Sequence, residues 1–169
     1  FDYSVGGKKV SYEEFMEISE KSELRMEYID GEIVLLDSPS ILHQQIIGNL
    51  YVYLRQAFKG KSCDVLLAPL DVHLFKPDFK DPDVVQPDLI VACDIDETSQ
   101  DQRYMGVPTL VVEVLSPSTK RKDMVEKLRC YMLSGVQEYW IVDPINETVI
   151  TYRFEERDIG SLTQFTTGD

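Results

Sequence analysis

Residues 84–92 read VVQPDLIVA and residues 109–115 read TLVVEVL. Both are short apolar runs rich in β-branched side chains, the pattern of strands covered on both faces. Each run also carries one carboxylate, Asp88 in the first and Glu113 in the second. A lone charge in an apolar strand costs several kcal/mol unless it is paired or bound to a metal. One such acid is equally well read as a structural cap or salt bridge. Two acids on consecutive runs, at neighbouring strand ends, are better read as holding a hard cation through oxygens, which implies Mg²⁺ or Mn²⁺.

Working outward, Ser11 and Glu14 form a capping-box pattern with Val10 and Phe15 placed as a staple, so a short helix is expected from 12 to about 20. Residues 25–36 alternate around Asp30-Gly31, a dipeptide suited to the positive φ angles of a tight turn, and read as a hairpin. Leu42, Ile46, Leu50 and Leu54 recur at helical spacing, widened by Ile47 and Phe58, and mark a second, longer helix. Residues 63–68 and 71–75 read as strand segments interrupted by Pro69, and the polar, acidic stretch 93–107 reads as a surface loop. Beyond Pro117 a helix from about 121 to 134 stops at Gly135, and 138–142 and 148–154 read as paired strands. A chain of 169 residues with 43% apolar side chains is therefore expected to form one α/β domain over 1–169, a mixed central sheet flanked by helices.

The apolar runs are far shorter than the roughly 20 residues of a membrane-spanning helix. No basic-then-apolar leader opens the chain, and a cytoplasmic protein is expected. Cys63, Cys93 and Cys130 have no CxxC spacing and suggest neither a zinc site nor a disulfide framework, so free thiols are expected. Seventeen Lys and Arg against thirty Asp and Glu give a formal charge of −13, which repels a polyanion at long range. Five of those cations, Lys120, Arg121, Lys122, Lys127 and Arg129, lie within ten residues that hold two acids, Asp123 and Glu126, a local balance of 5 − 2 = +3. These cations are expected beside the site, with most acids on other faces.

The residues Pro87-Asp88, Val112-Glu113-Val114-Leu115-Ser116-Pro117-Ser118-Thr119, Asp123, Lys127, Tyr131 and Gly135-Val136-Gln137-Glu138-Tyr139-Trp140-Ile141-Val142-Asp143-Pro144 together resemble the signature of the Uma2 (DUF820) family. Glu27-Tyr28-Ile29-Asp30-Gly31-Glu32, Ser38-Pro39-Ser40 and His43 extend the likeness upstream. That family is grouped with the PD-(D/E)XK restriction-endonuclease-like superfamily. The resemblance implies a restriction-endonuclease-like core and a metal-dependent endonuclease acting on nucleic acid, DNA first, with Asp88 and Glu113 as metal ligands. It also implies a homodimer, with Tyr139 and Trp140 as contributors to the contact.

One position departs from the nuclease motif. Leu115 stands where the motif places a lysine, and Lys127, at the family's own lysine position, is expected to supply the missing charge. The alternative for Lys127 is an exposed i,i+4 pair with Asp123. On the first reading, Lys127→Met should spare folding and metal affinity and lower turnover by a factor on the order of 10² to 10³. Glu27 is expected either at the same site, holding a second metal or a metal-bound water, or paired with Arg25 or Lys21. His43 shares a helix face with Ile47, Leu50 and Leu54 and reads as a structural histidine or a cleft-lining one. Asp71 is a further candidate, and Ser116 and Ser118 read as turn residues rather than nucleophiles. Two other functions stay open: a catalytically silent nuclease-fold interaction or regulatory module, which the acidic surface favours, and a metal-dependent hydrolase of small phosphate esters, which needs no basic groove.

Overall fold

The computed structural model of the chain describes residues 9–100, 103–117 and 119–168; Ser118 lies outside them. The capping box forms as the pattern requires: Glu14 N–H donates to Ser11 Oγ at 3.2 Å, and Ser11 N–H to Glu14 Oε2 at 2.8 Å. It starts α1 (Tyr12–Lys21), which buries Phe15 in a stack on Tyr28 with ring centroids 4.9 Å apart. Asp30 and Gly31 take φ of 49° and 87° and join β1 (Met26–Ile29) to β2 (Glu32–Leu35). Ser40 caps α2 (Ile41–Ala57), after which come β3 (Asp64–Leu67) and β4 (Val72–Leu74).

The run 84–92, expected as one strand, is two. Its first part belongs to β5 (Asp83–Val85) and its second is β6 (Leu89–Ala92), and the two lie in different sheets. Pro87 has no N–H for a ladder, and the Gln86 N–H donates to Glu27 Oε1 at 2.9 Å instead of to a strand. The chain therefore crosses from one sheet to the other at Gln86-Pro87-Asp88. The expected surface loop 93–107 also carries regular structure: α3 (Ile95–Thr98), β7 (Ser99–Gln100) and β8 (Arg103–Tyr104). Asp94 anchors it by accepting hydrogen bonds from the Tyr104 hydroxyl at 2.5 Å and from the Val107 N–H at 3.2 Å. β9 (Leu110–Val114) follows, then a helix wound as a π-helix over Lys122–Lys127 and as α4 over Leu128–Ser134. Gly135, at φ 94°, closes that helix in the left-handed conformation a side chain would strain. β10 (Glu138–Asp143), β11 (Thr148–Glu155) and β12 (Asp158–Thr166) complete the described chain.

Two mixed six-stranded sheets result, β2-β1-β5-β4-β8-β7 and β12-β11-β10-β9-β6-β3. Strand alternation sorts the second sheet's side chains. Leu89, Val91, Leu110, Val112 and Val114 pack on the α2 side with Ile47 and Leu54, while Ile90, Val111 and Leu115 pack on the other side with Tyr131, Tyr139 and Ile141. Each fully buried Leu or Ile of this kind is worth about 1.5–3 kcal/mol. Tyr139 is fully buried and donates to the Asp123 carbonyl at 2.9 Å, so it is a core residue and unavailable to a partner; Trp140 packs partly buried on the α2 side.

The expectation of free thiols fails for two cysteines. The pairing of Asp64 with Ala92 sets Cys63 and Cys93 opposite each other just beyond the β3 and β6 ends, with Cα atoms 4.0 Å apart, and they form a disulfide; Cys130 remains free and buried. Neighbouring strands, invisible to a spacing rule, bring the pair together. Among the described residues no helix is long and apolar enough to cross a membrane.

Candidate active site

Antiparallel pairing of β6 with β9 matches Leu89 with Val112, so the next residues outward, Asp88 and Glu113, face each other. The Asp88 N–H points at Glu113 Oε2 (3.4 Å), and the Val114 N–H donates to Asp88 Oδ2 at 2.7 Å. His43, one turn into α2, places Nε2 3.0 Å from the same Asp88 oxygen. This bond raises the imidazole's affinity for a proton, against the opposing effect of burial. His43 is thus tied to the acid pair and lines the cleft.

The same alternation that puts Glu113 opposite the α2 side turns it toward the helix after β9. Lys127 Nζ lies 2.7 Å from Glu113 Oε1, 2.8 Å from Glu27 Oε1 and 3.5 Å from Asp123 Oδ1. The Tyr131 hydroxyl, one turn further on, donates to Glu113 Oε1 at 2.7 Å. Lys127 and Asp123 are each only 3% exposed, which rules out the surface-pair alternative. Glu27 is wholly buried and reaches the site from β1, but its oxygens serve Lys127, the Gln86 N–H and Lys122. It is a holder of lysines in this arrangement. Its other expected partners are engaged elsewhere, Arg25 with Gln86 Oε1 and Lys21 with Glu17. Asp71 accepts from Gln86 Nε2 at 2.8 Å and bears on the site only through that residue. Ser116 closes a turn with Thr119, whose Oγ1 lies 3.1 Å from the Ser116 hydroxyl.

Lys122 and Tyr131 are the members of this cluster whose contacts sequence reasoning missed. Tyr131 stands four residues after Lys127, so helical spacing alone brings it alongside. Lys122 stands five residues before Lys127, a spacing that faces away in an α-helix and comes together only in a π-helix, where bonds run i to i+5.

Burial and the lysine–carboxylate contacts oppose each other in these groups, and burial prevails in Glu113 and Asp123 only. It pushes the Glu113 carboxyl from 4.5 up to about 8, with Lys127 pulling the other way, and it raises Asp123 as well. Burial also opposes ionisation of Glu27, but Lys127 and Lys122 outweigh it and hold that acid low. Burial would strip Lys127 of its proton, yet Glu113, Glu27 and Asp123 together keep it charged. The native protein therefore retains a proton on Glu113 that the unfolded chain gives up between pH 4.5 and about 8. Stability from this source is fully present below the lower value and lost as pH rises through the upper one. In chelator-treated protein the melting temperature should fall from about pH 6 to pH 9, and calorimetry should find that fall flattened in Glu113→Gln.

The cleft above this cluster has a volume of about 670 Å³ and is lined by Asp88, Glu113, His43, Lys122, Asp123 and Lys127 among others. Of the five cations expected beside the site, Lys122 and Lys127 line the cleft, and they share it with Glu27, Asp88, Glu113 and Asp123 rather than with acids confined to other faces. Lys120 pairs with Asp143, Lys122 and Lys127 with Glu27, and Arg129 with Asp30, so four of the five cations of 120–129 are neutralised locally. Four acids, Glu27, Asp88, Glu113 and Asp123, share two lysines, and Glu113 is the one that burial keeps protonated up to about pH 8.

This excess of acids and the donor set fit a divalent, oxygen-seeking ion, which would take the place of the Glu113 proton. The bonds from Val114 and His43 both fall on Asp88 Oδ2 and leave Oδ1 out, and Glu113 Oε2 meets the Asp88 N–H at the long distance of 3.4 Å. Among the described residues no three His, Cys, Asp or Glu side chains converge on one point. Two carboxylates suit Mg²⁺ or Mn²⁺, because Mg²⁺ keeps several waters and binds through one or two carboxylates rather than a full protein cage.

The model of the Uma2 family, described as "Putative restriction endonuclease", matches residues 12–169. "Uncharacterized protein slr1290" of Synechocystis sp. is 29% identical over 145 residues, covering 85% of this chain and 74% of its own length. "Uncharacterized protein sll1609" of the same organism is 24% identical over 132 residues, covering 77% and 72%. Among solved structures, one described as "a putative nuclease belonging to DUF820", from Anabaena variabilis, superposes with a TM-score of 0.76 at 21% identity, covering 95% of this chain and 86% of its own. At that identity the likeness is one of fold, and it agrees with the α/β class and the nuclease-like core expected from the sequence.

Proposed function

Because the chain belongs to the Uma2 family, we propose that it is a metal-dependent endonuclease that hydrolyses phosphodiester bonds of nucleic acid, with DNA as the expected substrate. The observation that carries this reading is the opposition of Asp88 and Glu113 across β6 and β9, with the Lys127 ammonium 2.7 Å from Glu113. Asp88 and Glu113 would hold Mg²⁺ or Mn²⁺, which supplies Lewis acidity toward the phosphate oxygens. His43 and the Val114 N–H fix Asp88 through one oxygen, and Tyr131 and Lys127 fix Glu113 through one oxygen. Lys127 stays protonated and so acts as a fixed charge beside the pair rather than as a base. It takes the part that Leu115, packed in the core, cannot play.

The local neutralisation of the 120–129 cations favours a second reading, a metal-dependent hydrolase of small phosphate esters. One assay separates the two. With Mg²⁺ or Mn²⁺ the protein should cut a long single- or double-stranded substrate, stop on chelation, and leave a chromogenic phosphodiester nearly untouched. The reverse preference would establish the small-ester hydrolase. No turnover of either substrate would leave the catalytically silent interaction module.

A further inference from the structure

We infer that Lys122 is the side chain that meets a phosphate group of the substrate, and that Glu27 holds it in readiness at the cleft; this rests on the phosphodiesterase reading above. The first ground is the winding of the helix. At 100° per residue an α-helix would set Lys122 and Lys127 far apart around its axis, whereas the π-helix over Lys122–Lys127 aligns residues five apart. Both ammonium groups then converge on one carboxylate: Lys122 on Glu27 Oε2 and Lys127 on Glu27 Oε1. π-helical turns are rare and concentrate at functional sites.

The second ground is the difference between the two lysines. An ammonium has three hydrogens to donate. Lys127 donates to Glu113 Oε1, lies 2.8 Å from Glu27 Oε1 and 3.5 Å from Asp123 Oδ1, and its side chain is 4% exposed. Lys127 is thereby a positioning residue, enclosed among acids that it holds in place. Lys122 has Glu27 as its ion-pair partner, its side chain is 12% exposed, and it lines the cleft. Two of its donors remain for a ligand. Lysine binds phosphate as a point charge and tolerates varied geometry, which suits a cation that must turn from Glu27 toward an incoming substrate. Glu27 stays paired through Lys127 and the Gln86 N–H when Lys122 turns away, so the exchange leaves no buried charge alone.

The test compares the parent with Lys122→Met and Lys122→Arg. A fluorescent DNA oligonucleotide is titrated without divalent metal over about 50 to 200 mM NaCl, and its cleavage is followed with Mn²⁺. Lys122→Met should bind about tenfold more weakly, as for loss of one charged hydrogen bond. It should also lower the slope of log affinity against log salt by about one, with Lys122→Arg keeping the parent slope. A residue that only stabilises the helix would change the melting temperature and leave the salt slope alone. If the parent binds and cuts the oligonucleotide while Lys122→Met keeps its affinity and slope, the role of Lys122 is refuted and the nuclease reading stands. If the parent neither binds nor cuts, both fall.

Discussion

Lys127→Met is expected to destabilise the fold by about 3–5 kcal/mol, the effect of removing one partner from a buried ionic cluster. Judged from the sequence, a methionine of similar length should be tolerated, because the helix position reads as an apolar-stemmed lysine reaching over a surface. The structure reverses that expectation for stability. Lys127 is enclosed by Glu113, Glu27 and Asp123, and methionine would leave three buried carboxylates, of which Glu27 keeps Lys122 as an ion-pair partner. The acids can lower the cost by taking up protons, and Glu113 already holds one up to about pH 8. Denaturant unfolding should therefore find a larger loss near pH 9 than near pH 6. Nuclease turnover, measured where the variant is still folded, should drop on the order of 10²- to 10³-fold through the lost charge and the misplaced Glu113.

Asp88→Asn and Glu113→Gln should each abolish cleavage to at least about 10³-fold below the parent, since the bound ion contributes several kcal/mol to the transition state. Both substitutions keep side-chain shape, so folding should survive. Glu113→Gln removes the acid that burial disfavours, and at pH 8 it should melt no lower than the parent in chelator. Calorimetry should find no Mn²⁺ binding to either variant. Retention of the parent's Mn²⁺ affinity by both would place the ion elsewhere.

The parts of this account readable in the sequence are those set by local rules. Ser11 and Glu14 cap a helix with their own backbone groups, Asp30-Gly31 makes its turn through positive φ, and the two β-branched runs became the β6 and β9 neighbours. Their acids meet because two strands ending together align what is carried at their ends. What escaped the sequence depends on contacts between distant segments. Pro87 was visible, but that its strand divides between two sheets follows from the Gln86 N–H bonding to Glu27, 59 residues away. Cys63 and Cys93 are joined by sheet register, and Tyr104, inside an acidic stretch that reads as loop, is buried because Asp94 ties it down. Lys122 entered the sequence reading only as one of the five cations of 120–129, and a period of 3.6 would set it away from Lys127. Only the π-helical winding brings it to Glu27. Net charge misled in the opposite way: the +3 of residues 120–129 is real in the sequence and spent in the fold on Asp30, Asp143 and Glu27.

The most direct measurement is a crystal soaked in Mn²⁺ with anomalous data collected at the manganese edge. The account predicts one strong peak between Asp88 and Glu113, within about 2.0–2.3 Å of an oxygen from each and completed by waters, and its disappearance in Asp88→Asn. A peak elsewhere, or none there at saturating Mn²⁺ with the acid pair still locked to Lys127 and His43, would contradict it.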